Sequence, residues 1–375
     1  MNVIQTYLTE HEQEIIDDIK TFVKIESPTA DKQAVDEAGA WLCNKIQSYL
    51  DIKPQIIEQE ETGNHIRFEF GEGEEQILIS GHFDTVWQKG DLPLVEEDET
   101  IYGPGVIDMK TGDVQILWAL RALKEHDTTT NKKIVVLFNG DHEGIASPTS
   151  RPYIESEARN SKFGLVAEAA TGETGALKTF RKGINRYTIQ FKGKGSHSGN
   201  DHQSGQSAIQ EAAHQVIDLE NMTDYEQGTT VNVGEIQGGS GINVRPEHAQ
   251  IKVDVRITTP QNGKEINERI HALKPYNNQV EIEIQGGEVR PVMMKTEQTE
   301  VLFQQAKSYA QSIGFELEQV AVGGGSDGSF IAAQGTPTLD GLGGVGGGPH
   351  ARNEHINKKF VVPRTTLLTE LIKNL

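Results

Sequence analysis

The chain has 375 residues, more than one ordinary hydrophobic core holds, so two domains are expected. Its 35 Lys and Arg face 55 Asp and Glu, a formal charge of −20 that argues against nucleic acid or an anionic membrane as partner. The single cysteine, Cys43, excludes an internal disulfide. With a polar, acidic start that lacks the basic and apolar regions of a signal peptide, the sequence reads as cytoplasmic. No apolar run approaches the roughly 20 residues of a membrane helix.

Taken in order, residues 1–50 read as helices: Ile15, Ile16, Ile19, Phe22 and Val23 fall at helical spacing, and a turn at Ser27–Pro28 opens a second amphipathic helix. From about 55 to 170, strands alternate with helices, the pattern of an α/β layer sandwich. Lys110–His126 places Val114, Leu117, Trp118 and Leu120 on one face and predicts a helix launched directly after Asp108. The texture changes near residue 178. Tyr187, Ile189 and Phe191 alternate in a strand, and 204–222 predicts a helix burying Ile209, Ala212, Ala213, Val216 and Ile217. Two alternating strands (229–236, 249–257), a polar helix (264–274) and a strand (280–284) follow. Strand, helix, strand, strand, helix, strand is the split βαβ, ferredoxin-like order. We therefore expect an inserted α+β module at 178–286, and a discontinuous first domain of 1–177 and 287–375. A helix at 297–313, a strand at 315–322 and a closing helix at 363–375 complete the expectation.

Acids and histidines sit where the apolar strands stop: His82, Asp108, Glu143, Glu168 and His350. Open α/β sheets bind ligands outside the carboxyl ends of their strands. Nitrogen and oxygen donors suit zinc, and two metals about 3.5–4 Å apart can share a carboxylate. In GHFDTV, positions 82 and 84 point the same way along a strand, so Asp84 is expected to hydrogen-bond the far nitrogen of His82. Asp108 also fits a helix cap, Glu168 a cap or buried ion pair, and His350 a solvent loop.

The ordered segments IESPTADKQAVDEAGAWL, GHFDTV, GPGVIDMKTG, DHE, VAEAA, GKGSHSG, GGSGINVRPEHA, DVR, GGGSDG and GGGPHARNE make the chain resemble the glutamate carboxypeptidase-like family of di-zinc metallopeptidases, with its aminoacylase and deacetylase relatives. The resemblance implies a zinc-binding α/β catalytic domain interrupted by a smaller dimerisation (lid) domain. It implies two Zn²⁺ per chain, with Co²⁺ or Mn²⁺ as substitutes, bridged by Asp108. His82 and Glu168 would complete one metal, Glu143 and His350 the other, with Asp84 orienting His82. It further implies that His197 passes from one subunit of a homodimer into the partner's site. Asn243, Arg256 and Arg290 would hold substrate, and the loop with Gly324, Gly325 and Ser326 would cradle its terminal carboxylate through backbone N–H groups.

One departure stands out. The family shows two successive glutamates after the Asp, a general base and then a ligand, whereas this chain has Asp141, His142 and Glu143. Aligned from the preceding strand, His142 takes the base position and Glu143 the ligand; aligned from SPTSR, Glu143 becomes the base. Imidazole, with an ordinary pKa near 6.5, is able to act as a base at neutral pH. The expected protein is a hydrolase cleaving a peptide or amide bond next to a C-terminal amino acid, with glutamate first. An N-acyl-amino-acid deacylase, a dipeptidase, and a weakly active binding protein are the alternatives.

Overall fold

The structure, a computed structural model, describes residues 3–128 and 130–375. The chain divides into two compact units: Met1–Phe180 with Met293–Val322 and Ser326–Leu375, and Arg181–Val292 with Gly323–Gly325. The sequence reading put the junctions at 177/178 and 286/287.

Among the described residues the first unit is built on an eight-stranded mixed sheet. Its order is Gln55–Ile57, His65–Phe70, Lys132–Asn139, Glu75–His82, Ser161–Val166, Thr338–Asp340, Leu177–Arg181, Gln319–Val322. Its middle four strands run parallel, and their apolar residues alternate between two cores as a period of two requires. Ile77, Ile79, Ile134, Val136 and Phe138 pack with helices Glu12–Lys24, Lys32–Leu50, Thr111–Glu125 and Val361–Asn374. Leu78, Val135 and Leu137 face the other way, against Arg151–Arg159 and Gly328–Ala333. Burial on both faces explains why these strands read as near-continuous apolar runs.

The second unit holds a four-stranded antiparallel sheet in the order Thr230–Gly238, His248–Ile257, Gly183–Lys192, Glu281–Arg290. In sequence order this is second, third, first, fourth, with helices Ala208–Glu220 and Pro260–His271 as the connections, the split βαβ topology.

Several expectations need correction. Of the five residues assigned to the buried face of the 204–222 helix, only Ala212 is buried; Ile209, Ala213 and Ile217 are exposed and Val216 half-buried. The buried face is Ala208, Glu211, Ala212, Gln215 and Leu219. Two polar side chains occupy it because they satisfy a turn: Glu211 accepts from the Tyr276 and Asn277 N–H groups at 3.0 Å, and Gln215 donates to the Lys274 carbonyl at 2.9 Å. The polar helix begins at Pro260, set by the Thr259 cap, and the strand expected from 315 begins at Gln319. The helix after Asp108 begins at Thr111, beyond an irregular turn, Val106–Lys110.

Candidate metal centre

Three parallel neighbours end at one level. His82 lies opposite Asn139, and Ser80 opposite Val166, so the turns after these strands open on the same edge. Each turn delivers a donor: His82 itself, His142 and Glu143 after Asn139, and Glu168 after Val166. Asp108 arrives from the irregular turn, where its φ of −121° and ψ of 91° are non-helical. It caps no helix. Its Oδ1 lies 3.2 Å from His82 Nε2 and its Oδ2 3.4 Å from His350 Nε2. His350 Nε2 is also 3.1 Å from Glu143 Oε1. Glu168 Oε1 lies 3.6 Å from His82 Nε2 and 3.5 Å from His142 Nε2.

The turns are held by buried polar contacts. Asp84 accepts from the backbone N–H groups of His142 and Glu143, at 3.1 and 2.8 Å, and from Thr29 Oγ1 at 2.7 Å. The expected hydrogen bond from His82 to its carboxylate is displaced: His82 Nδ1 lies 3.2 Å from the Asp84 carbonyl and 3.6 Å from Oδ1. The backbone of 142–143 competes for the carboxylate because it has orphan N–H groups to satisfy. Asp141 turns away from the centre and accepts from Thr149 and Ser150. Glu354 receives the N–H groups of Gly105 and Ile107 at 3.1 Å, fixing the turn that carries Asp108. Beside Glu143 a cleft of about 460 Å³ is lined by Thr29, Ala30, Thr85, Val86 and Ile145.

The electrostatics fit a cation. Burial alone would lower His82, but the surrounding carboxylates of Asp108, Asp84 and Glu168 outweigh it and hold the imidazole well above its ordinary value. His350 is raised to about 10 by Asp108 and Glu143. Burial would raise Asp108, yet His350 and His82 hold it well below the carboxylate range. Clustered carboxylates thus draw positive charge onto the imidazoles, and a divalent ion answers the same demand. Two overlapping sets, His82 with His142 and Glu168, and His82 with Asp108 and Glu143, present ligand atoms within 4.8 Å of one another. These nitrogen and carboxylate donors suit zinc.

His142 shows a feature with no counterpart in the sequence reading. Its ring stacks on His82 with centroids 4.0 Å apart and planes 6° from parallel. Its Nδ1 lies 3.0 Å from Asp327 Oδ2. Asp327, Glu354 and Thr29 were not singled out from sequence, although they lie in the GGGSDG, GGGPHARNE and IESPTADKQAVDEAGAWL segments.

The remaining candidates divide by unit. Ser326 belongs to the first, buried, with its hydroxyl on Asp340. His197, Asn243, Arg256, Arg290, Gly324 and Gly325 belong to the second. His197 Nδ1 accepts the Gly199 and Asn200 N–H groups at 3.1 Å, so the neutral ring carries its proton on Nε2. The exposed Asn243 offers its carbonyl to the Ser198 N–H at 2.9 Å. Arg256 is paired with Asp254 through Nε at 2.7 Å and Nη2 at 3.1 Å, and its Nη1 reaches the Gly323 carbonyl. Arg181, unremarked in the sequence, donates to the Gly324 and Gly325 carbonyls, and a side chain at Gly325 would meet Arg290 at 2.6 Å.

The model of Peptidase family M20/M25/M40 matches residues 78–374. The chain is 28% identical over 385 residues to carboxypeptidase G2 of Pseudomonas sp. (strain RS-16), covering 100% of this chain and 92% of that protein. It is 27% identical over 320 residues to succinyl-diaminopimelate desuccinylase of Acinetobacter baumannii (strain AYE), covering 81% and 82%. Among solved structures, a dinuclear metal binding peptidase of the M20 family from Bacillus subtilis superposes with a TM-score of 0.68 at 14% identity, over 97% of this chain and 98% of that one. With its mixed α/β fold and this cluster of donors, the chain belongs to Peptidase family M20/M25/M40 and is a metallohydrolase of peptide or amide bonds.

Proposed function

We propose that the protein is a di-zinc exopeptidase that releases a C-terminal amino acid, glutamate first among the candidates, from a small peptide. The observation that carries this reading is Asp108, whose two carboxylate oxygens each face a different imidazole, His82 and His350. That is the disposition of a carboxylate shared between two ions. His82 and Glu168 would complete one site, Glu143 and His350 the other. Bound zinc supplies Lewis acidity, polarising the scissile carbonyl and lowering the pKa of water to about 7.

The chain's own groups do the rest. His142 Nε2 takes a proton from the attacking water as its oxygen bonds to the carbonyl carbon. The same nitrogen returns that proton to the amine as the C–N bond breaks, leaving a free amine and a carboxylic acid, which gives up the water's second proton to become the carboxylate. His197, supplied by a second copy of the chain, donates its Nε2–H to the oxyanion. Asn243, Arg256, Arg290 and the 324–326 segment are assigned to substrate, the arginines and the loop to its carboxylates. The relative named carboxypeptidase G2 supports this reading. The relative named desuccinylase supports an N-acyl-amino-acid deacylase as the second. The lone cysteine favours the cytosol; among the described residues no helix is long and apolar enough to cross a membrane.

The test is metal analysis joined to a substrate panel. We expect about two zinc ions per chain, loss of occupancy in Glu143→Ala, and faster hydrolysis of C-terminal-Glu peptides than of acetylated or succinylated amino acids. Protein that takes up no zinc, or cleaves nothing in the panel, overturns the reading; a reversed order selects the deacylase.

A further inference from the structure

We propose that Asp327 is a positioning residue that fixes His142 in the tautomer a base requires. The inference rests on the reading above, in which His142 moves the water's proton. A glutamate base has two equivalent oxygens and needs no partner. An imidazole has one nitrogen that carries a proton and one that accepts, and the wrong tautomer aims an N–H at the water. A chain with histidine in this position therefore needs an acceptor behind the ring.

Asp327 is built as that acceptor. It is 3% exposed, and stands immediately before the helix Gly328–Ala333. Its Oδ1 receives Ser147 Oγ at 2.6 Å, and its Oδ2 receives Asn139 Nδ2 at 2.9 Å. These contacts hold the carboxylate still while Oδ2 faces His142 Nδ1 at 3.0 Å. An ionised carboxylate only accepts, so Nδ1 carries the hydrogen and Nε2 of the neutral ring carries the lone pair. Stacking on His82 fixes the plane, leaving Nε2 on the Glu168 side of the centre, 3.5 Å from Oε1. The Ser147 contact ties the same carboxylate to the 140–150 turn.

The test compares Asp327→Asn in two backgrounds. In the native background the substitution should lower kcat roughly 10²–10⁴-fold, the cost of leaving a histidine base in the wrong tautomer, with KM and zinc content unchanged. In a His142→Glu background it should leave kcat unchanged, because a carboxylate base has no tautomer to fix. Equal losses in both backgrounds make Asp327 merely structural and overturn the proposal. A second measurement needs no Asp327 variant. In zinc-loaded protein with ¹⁵N-histidine, the His142 resonances, assigned by their loss in His142→Gln, should show Nδ1 protonated and Nε2 bare. A protonated Nε2, or an Nε2 signal that tracks zinc loading together with loss of one zinc in His142→Ala, overturns it. Full turnover in His142→Ala defeats the functional reading and this proposal with it, whereas an Asp327→Asn failure beside an inactive His142→Ala defeats this proposal alone.

Discussion

His350 presents one nitrogen to two carboxylates, and that crowding has a thermodynamic consequence. With its folded-state pKa raised to about 10, His350 holds a proton at pH 7 in metal-free protein, and the carboxylates around His82 favour its protonated form as well. A metal ligand must be unprotonated. Zinc binding at pH 7 should therefore release a proton from His350, and affinity should climb with pH until that ring titrates near pH 10. The sign for stability follows from the same shift. The stabilisation from His350 in metal-free protein is complete below its unfolded value near 6.5, and is lost as pH rises through about 10. Calorimetric titrations of zinc in buffers of different ionisation enthalpy will check this; a binding enthalpy independent of buffer would refute proton release. His82, Glu143 and Glu168 were legible in the sequence because each ends or closely follows an apolar strand, whereas Asp108 and His350, expected at strand ends, sit in an irregular turn and a glycine-rich loop. What holds the donors was not legible. Thr29 meets Asp84 across 55 residues, and Asp327 meets Asn139 across 188. Such pairings leave no local pattern, and the Asp84 carboxylate went to backbone N–H groups that a side-chain reading does not count.

At the scale of elements, the site depends on how closely the helix Thr111–Glu125 approaches the turn carrying Glu168. A side chain at Gly112 would place its Cβ 1.9 Å from the Ala167 carbonyl oxygen, and one at Gly343 would come within 2.1 Å of the same atom. The carbonyl is clasped between two glycines, one on the helix and one on the loop after Thr338–Asp340. Backbone cannot yield as a flexible side chain can, so Gly112→Ala should force the helix and the Glu168 turn apart. Overpacking of this kind costs about 1–3 kcal/mol. We expect a lower urea midpoint, and zinc affinity reduced more than in a control of equal destabilisation placed elsewhere in the core, such as Ile46→Val. Unchanged stability in Gly112→Ala would show that the turn yields. Most elements were predictable because their apolar residues keep one period. The helix Ala208–Glu220 was misoriented because its sequence carries two stripes. Glu211 and Gln215 win the inside by satisfying backbone at 274–277, a gain that hydrophobic periodicity does not register.

At the scale of the whole molecule, that misorientation bears on assembly. The apolar stripe displaced from the core lies on the surface of the second unit. Ile217 is 60% exposed and Ile209 is 40% exposed. Ile236, on the edge strand Thr230–Gly238, is 56% exposed although it pairs with the fully buried Ile251. Apolar side chains gathered along one helix and an open sheet edge are the kind of surface that subunits bury, and most homo-oligomers close as twofold dimers. The homodimer proposed above is assigned to this surface. Ile217→Arg should then shift the protein to monomer in sedimentation velocity at micromolar concentration. Turnover should fall with it, because His197 of a second copy is removed, while zinc content per chain stays the same. Charge supplies an independent check. Each copy carries −20, so two copies repel, and salt screens that repulsion over roughly 8–10 Å at physiological strength. Dimer affinity should therefore rise as ionic strength is raised from low values, the reverse of an interface held by opposite charges. A native protein that stays monomeric at all salt concentrations and still turns over at full rate would remove both the interface and the need for His197 from a second chain.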